Sequence, residues 1–155
     1  MLSRYEQFSS MISSIYRSIQ KIERDEMIQY GYKGAYAQYL AAINRYPEGV
    51  TAAQLCEISE KDKAAVSRVI AEMEEKGLVE RTGRSESGYR ALIRLTPSGR
   101  SAARFVFGRA QEAVEAAGIE PEAVPVFYAA LERVASNLQK ISREGIPAQQ
   151  DRQEQ

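Results

Sequence analysis

Residues 62–81 read DKAAVSRVIAEMEEKGLVER, and they are the most informative segment for predicting the fold. Asp62 stands where a side-chain oxygen can accept a hydrogen bond from the first turn of a helix, so it predicts an N-cap. Apolar side chains then recur at helical spacing over 63–76. Gly77 predicts the helix end, because glycine readily adopts the left-handed conformation found there. Beyond Gly77 the apolar period becomes that of a strand.

A shorter helix is predicted directly upstream of this stretch. Thr51 is its N-cap, the helix covers 52–57, and residues 58–61 are long enough for a tight turn. Another helix at about 35–46 comes before it and is ended by Pro47. Two short helices joined by a tight turn are typical of the helix-turn-helix motif.

The two sides of the helix at 63–76 differ in chemistry. A helical wheel places four apolar side chains on one side, namely Val66, Val69, Ile70 and Met73. The opposite side carries Ala64, Arg68 and Ala71, with Ser67 at its flank. Small side chains let a helix approach base edges closely, and an arginine among them can pair with guanine or with phosphate. The alternative is that the alanines are present as good helix formers.

A basic hairpin is predicted after the helix-turn-helix. Strands at 78–81 and 89–95 flank a polar turn, and Thr96-Pro97 then starts a long helix that ends near Gly118. Residues 81–104 contain six arginines and one acidic residue, Glu86. A hairpin beside a recognition helix can act as a wing that contacts the DNA backbone or minor groove. Within it, Arg84 and Arg90 are the stronger candidates for DNA contact, and Arg81 and Arg94 are the weaker ones.

Both ends of the chain carry helices with narrow apolar stripes. The helix at about 4–28 has such a stripe from Tyr5 to Ile22, and the last helix, which ends near Arg143, has one from Phe127 to Ile141. Each stripe alternates steps of three and four residues, which is the spacing of a coiled-coil seam. We therefore predict dimerisation through residues 1–30 and 97–143, a DNA-binding domain at 35–96, and a disordered tail at 144–155.

The composition excludes most enzyme classes. The 155 residues include no histidine and a single cysteine, so an intrachain disulfide, a zinc finger and a Ser-His-Asp triad cannot be assembled. We expect no catalytic residues, no metal and no cofactor. The sequence has no apolar run near the roughly 20 residues of a membrane span and no signal peptide, which predicts a cytoplasmic protein without membrane contact.

The central block resembles the signature of the multiple-antibiotic-resistance regulator (MarR) family. The matching segments are DKAAVSR at 62–68, EEKGLVER at 74–81, Arg90-Ala91 and LTPSG at 95–99. The resemblance is close over 50–100, and the order of elements extends it to about 5–143. It implies a mainly α fold with a small β-hairpin wing, that is, a winged helix-turn-helix plus a helical dimerisation region.

The resemblance also implies a function. It indicates a homodimer with intertwined terminal helices, in which each winged helix reads one half of a palindromic operator in double-stranded DNA. The residues implied for DNA contact are Lys61, Lys63, Ala64, Ser67, Arg68, Arg84 and Arg90. Wings of the family carry an Asp-x-Arg element, whereas this chain has Gly88-Tyr89-Arg90 and so lacks the aspartate that would orient the arginine.

The resemblance further implies a transcriptional repressor that is released from DNA by a small aromatic or lipophilic effector, as is common in the family. The residues predicted to line its pocket are Arg17, Tyr16, Tyr32, Tyr36 and Tyr39. A tyrosine there can stack on an aromatic ligand and orient it through its hydroxyl group. The alternative is that these rings pack the junction between the two lobes. Cys56 is interpreted as a small buried hydrophobic residue.

The main alternative function is a winged-helix protein-interaction module that does not bind DNA. The basic residues Arg68, Arg84 and Arg90 argue against it. An enzyme is a weaker alternative, because the chain has no histidine to act as an acid or base. The sequence leaves open the operator, the effector, the regulated genes, and the choice between repression and activation.

Overall fold

The computed structural model describes residues 3–83 and 91–147. Two compact units divide the chain, one spanning residues 1–114 and the other residues 115–155. The secondary structure comprises six α-helices, one 3-10 turn and two strands within the described residues. In chain order they are α1 (Arg4–Gln29), α2 (Tyr36–Asn44), α3 (Ala52–Ser59), α4 (Lys63–Glu75), β1 (Val79–Thr82), β2 (Leu92–Leu95), α5 (Pro97–Ala116), the 3-10 turn (Pro121–Ala123) and α6 (Val124–Glu144).

The helix-turn-helix is confirmed, together with both of its predicted N-caps. The Thr51 side chain accepts a hydrogen bond from the backbone N–H of Gln54, and the Gln54 side-chain oxygen accepts one from the backbone N–H of Thr51. The Asp62 carboxylate accepts a 2.8 Å hydrogen bond from the backbone N–H of Ala65. Gly77 follows α4 with φ +73°, as its predicted role at the helix end requires.

The end of α3 differs from the prediction. The helix was expected to stop at residue 57, but it continues to Ser59, whose hydroxyl donates a 2.6 Å hydrogen bond to the Leu55 carbonyl oxygen. Glu60 then takes the left-handed conformation at φ 54°, an unusual place for a residue other than glycine. The tight turn is consequently shorter than 58–61 and begins at Glu60.

The hairpin is antiparallel, with Val79 opposite Leu95 and Thr82 opposite Leu92. An isolated bridge between Val50 and Ile93 attaches the segment before α3 to the second strand. The predicted strands were 78–81 and 89–95, and the part of the second one at residues 89 and 90 lies outside the described residues. Within the described residues, alternation holds, since Ile93 and Leu95 are buried and Arg94 is half-exposed.

The core lies where α2, α4, the hairpin and the start of α5 meet. Its larger members include Leu40, Ile43, Ile70, Met73 and Ile93, each at most 1% exposed. Burying one such side chain contributes about 1.5–3 kcal/mol relative to leaving it in water. The contribution of α5 is made by small side chains, since Gly99, Ala102 and Ala103 are buried along it. They allow the helix backbone to approach the hairpin closely.

The apolar stripe of α1 is largely uncovered in the single chain. Tyr5 is 75% exposed, Phe8 and Ile12 are each 40% exposed, and Ile15 is 53% exposed. Met27 is the buried residue of this helix. Near that end, the Tyr30 ring lies 5.0 Å from the Phe105 ring of α5, centroid to centroid.

The second unit has the same character when it is considered by itself. Helix α6 has no buried residue, and its stripe from Phe127 to Leu138 stays 37–50% exposed at Phe127, Leu131, Val134 and Leu138. Pro121 and Pro125 stand at the 3-10 turn and the first turn of α6, where proline is tolerated. Within residues 3–83 and 91–147, no helix combines the length and apolarity that crossing a bilayer requires.

Candidate nucleic-acid interface

The solvent-facing side of α4 carries the side chains that the wheel placed there. Ala64, Ser67 and Arg68 are exposed, whereas Val66 and Ile70 on the opposite side are buried. The predicted DNA-contacting lysines Lys61 and Lys63 are also exposed, on either side of the Asp62 cap. The N-terminal end of α4, from the residue before its cap to its second turn, therefore presents two lysines, a hydroxyl group and an arginine to solvent.

Glu72 belongs to a polar cluster that the sequence did not reveal. Its Oε2 atom accepts a 2.7 Å hydrogen bond from the Lys33 ammonium group and a 2.9 Å hydrogen bond from the Tyr36 hydroxyl group. These partners are 39 and 36 residues away in the chain. A local sequence pattern cannot predict these pairings, because they depend on how the start of α2 packs against α4.

Electrostatics in this cluster favour a charged Glu72. The hydrogen bonds from Lys33 and Tyr36 lower the pKa of the Glu72 carboxyl group, and the positive charges of Lys33 and Arg68 add to the effect. In return, the Glu72 hydrogen bond raises the pKa of Lys33. Burial is the main cause that raises the pKa of Tyr36, and the nearby carboxylate reinforces it. The cluster thus holds an ionised carboxylate beside the candidate base-reading arginine.

The arginines of the basic segment are not equivalent. Arg81 pairs with Glu74 at 3.2 Å, Arg94 donates a 2.7 Å hydrogen bond to the Glu48 carbonyl oxygen, and Arg100 donates one of 2.8 Å to the Leu95 carbonyl oxygen. These three side chains thus hold the hairpin to its surroundings. The stronger wing candidates, Arg84 and Arg90, lie outside the described residues.

The predicted pocket residues fall in three different environments. Tyr32 and Tyr36 line a cavity of about 360 Å³, together with Gly31, Lys33 and Lys76. Tyr39 is 2% exposed and belongs to the hydrophobic core. Tyr16 and Arg17 are exposed on α1, where the Tyr16 hydroxyl group accepts a hydrogen bond from Gln20. The burial of Tyr39, and equally that of Tyr36 at 2% exposed, is what the alternative interpretation of these rings as packing residues expects.

Cys56 was expected to be a small buried hydrophobic residue, and it is half-buried against the core. It lies on α3 directly after the buried Leu55, so its side chain points toward the edge of the core rather than its centre. Among the residues that the structure describes, no three side chains of histidine, cysteine, aspartate or glutamate group together as metal ligands would.

The central segment of the chain matches a known family model. Residues 30–91 match the sequence model of the MarR family. No curated protein matches the chain. Among solved structures, it is similar to a MarR-family transcriptional regulator from Silicibacter pomeroyi, with TM-score 0.65, 22% identity, and coverage of 82% of this chain and 86% of that one.

Two other solved structures are similar over more of the chain. A MarR-family transcriptional regulator from Rhodococcus sp. RHA1 has TM-score 0.67 and 20% identity, with coverage of 87% of this chain and 96% of that one. A putative MarR-family transcriptional regulator from Listeria monocytogenes was solved in complex with 26mer DNA. It has TM-score 0.67 and 20% identity, with coverage of 94% of this chain and 97% of that one. The architecture described above is therefore shared with this group of structures.

Proposed function

We propose that this chain is a sequence-specific DNA-binding regulator of transcription, because residues 30–91 match the MarR-family model and the described fold is similar to that of MarR-family transcriptional regulators. The observation that carries the proposal is the exposed face of α4. There Arg68 stands among the small side chains Ala64 and Ser67, with Lys61 and Lys63 at the start of the helix. The similar Listeria protein was solved with DNA, which supports the same class of partner here.

The division of labour within this interface follows from side-chain type and position. Arg68 lies in the middle of the exposed α4 face and reads a base edge, since a bidentate arginine contact distinguishes guanine in the major groove. Lys61 and Lys63 contact phosphates, which fix the register of the protein on the duplex without reading sequence. Arg84 and Arg90 of the predicted wing add contacts to the backbone or minor groove.

Two copies of the chain form the active species. The stripes on α1 and α6 leave several large apolar side chains about half exposed in a single chain, which is costly in water. Their three-four spacing suits helix-to-helix packing in a homodimer. Two recognition helices related by a two-fold axis then read the two halves of a palindromic operator.

The regulator is a repressor that dissociates from DNA when a small aromatic or lipophilic effector binds. The cavity beside Tyr32 and Tyr36 supports such a site, since it joins aromatic surface to the Lys33 ammonium group. Arg17, Tyr16 and Tyr39 remain predicted pocket residues. The effector must bind the DNA-free geometry more tightly than the DNA-bound one, because a ligand without that difference shifts no equilibrium. Calorimetric titration of both forms with one releasing compound measures the difference, and equal affinities would contradict this scheme.

The test of DNA recognition compares two arginine variants on two duplexes. One duplex is selected by the wild-type protein from a random-sequence pool, and the other is its scrambled counterpart. Arg68→Ala is expected to cost about 1–3 kcal/mol on the selected duplex and to relax the choice at one base pair of each half-site. Arg90→Ala is expected to weaken both duplexes by similar factors and to lower the salt dependence by roughly one phosphate per subunit.

Arg104→Ala is the matched control, because this exposed arginine of α5 hydrogen-bonds the nearby Ser101 hydroxyl group. It removes the same charge and is expected to leave the ratio of the two affinities unchanged. Equal losses of discrimination from Arg68→Ala and Arg90→Ala would refute the division between helix and wing. Failure of the wild-type protein to retain any duplex at low salt would instead favour the protein-interaction module.

A further inference from the structure

Glu72 connects the recognition helix α4 to the start of α2 and to the segment before it. One carboxylate oxygen accepts hydrogen bonds from both Lys33, at 2.7 Å, and Tyr36, at 2.9 Å. Tyr36 is itself 2% exposed, so its position is set by the core. A carboxylate held by two donors from another element has much less rotational freedom than one on an open helix surface.

Arg68 lies four residues before Glu72 on the same helix. Side chains at this spacing are neighbours on a helix surface. The positive charge of Arg68 is also among the causes that keep Glu72 ionised. A free arginine samples many rotamers, and holding it in one geometry on DNA costs binding free energy. A fixed carboxylate one turn away reduces that cost by attracting the guanidinium group into one region before DNA arrives.

We propose that Glu72 is a positioning residue for sequence reading. It does not contact a base; held by Lys33 and Tyr36, it orients the Arg68 guanidinium group and so improves discrimination between base pairs. The same carboxylate repels phosphates, so it lowers affinity for all DNA while raising selectivity. This role rests on the proposed function, since it requires that Arg68 read a base.

The two effects of Glu72 are separable in the Glu72→Gln variant, which keeps the size of the side chain and an oxygen that accepts hydrogen bonds. Without the charge, affinity for a scrambled duplex is expected to rise about two- to fivefold at low salt, since one phosphate-repelling charge per subunit is gone. The ratio of selected to scrambled affinity is expected to fall about three- to tenfold, because Arg68 is less well organised. Fluorescence anisotropy on both duplexes measures the two quantities.

Two companion variants separate positioning from charge and from stability. Glu75→Gln removes a carboxylate three residues further along α4, and it is expected to raise affinity for both duplexes without changing their ratio. Tyr36→Phe keeps every charge and removes one of the two tethers of Glu72. It is expected to lower the ratio without raising affinity for scrambled DNA. A merely destabilised protein would lose affinity for both duplexes together.

The decisive measurement is the same Glu72→Gln substitution in an Arg68→Ala background. If Glu72 acts through Arg68, it no longer changes the ratio there, because the group that it orients is absent. An undiminished change of ratio in that background would overturn the role of Glu72, as would an unchanged ratio in the single variant. A wild-type protein that binds selected and scrambled duplexes equally would overturn the proposed function itself, and the role of Glu72 with it.

Discussion

Replacing glycine by alanine is expected to have opposite effects on stability at two positions of α5. At Gly99, an added Cβ would lie 2.0 Å from the carbonyl oxygen of Leu78 and 3.0 Å from its carbonyl carbon. Both are backbone atoms, so no rotation of a side chain relieves the clash, and α5 must move away from the hairpin. At Gly108, a Cβ would meet no atom within 4 Å apart from its own helix and chain neighbours.

The magnitudes follow from two competing terms. Replacing glycine by alanine inside a helix gains up to about 1 kcal/mol of helix propensity. Forcing an extra carbon into a packed site costs about 1–3 kcal/mol, and a backbone obstacle places Gly99→Ala at the upper end. We therefore expect Gly99→Ala to lower the free energy of unfolding by about 2 kcal/mol. Gly108→Ala is expected to raise it by up to about 1 kcal/mol, since only the favourable term remains.

Urea unfolding followed by circular dichroism measures both values. All proteins must be compared at one chain concentration, because the stability of a dimer depends on concentration. A Gly99→Ala protein as stable as the wild type would show that α5 does not lie against the Leu78 backbone. Loss of stability in Gly108→Ala would show that this position is packed in the folded species.

The remaining predictions concern an ion pair, a helix cap and the dimer. Because Lys33 and Tyr36 lower the pKa of Glu72, its ionisation stabilises the fold above the ordinary carboxyl pKa, and this contribution is lost as the pH falls through the lowered value. Wild type should consequently lose more unfolding free energy between pH 7 and pH ~3 than Glu72→Gln in urea titrations, and parallel profiles would contradict this. Asp62→Ala should lower the free energy of unfolding by about 0.5–2 kcal/mol in the same assay, since the Ala65 N–H loses its acceptor. An unchanged urea midpoint would show that the Asp62 cap does not stabilise the fold. Leu131→Arg should yield monomers in sedimentation velocity, because a charge enters the apolar stripe of α6; a persistent dimer would exclude that stripe from the interface.

The order and the limits of most helices and strands could be predicted from local sequence signals. The caps at Thr51 and Asp62, the helix end at Gly77 and the start of α5 at Thr96-Pro97 depend on hydrogen bonds spanning four residues or fewer, or on the preference of one residue. Such interactions form within a short segment of the chain, so the sequence of that segment is enough to predict them. The exposed face of α4 followed in the same way from the helical period.

The long-range partners of Glu72 and Arg94 depend on tertiary packing. Glu72 meets Lys33 across 39 residues, and Arg94 meets the Glu48 carbonyl oxygen across 46. Tertiary packing also decided that Tyr39 packs in the core while Tyr32 borders a cavity, although both are tyrosines of one short segment. Both outcomes depend on how α2 packs against its neighbours. That packing brings together side chains that are far apart in the sequence and places similar side chains in different surroundings, and the spacing of residues along the chain does not reveal it.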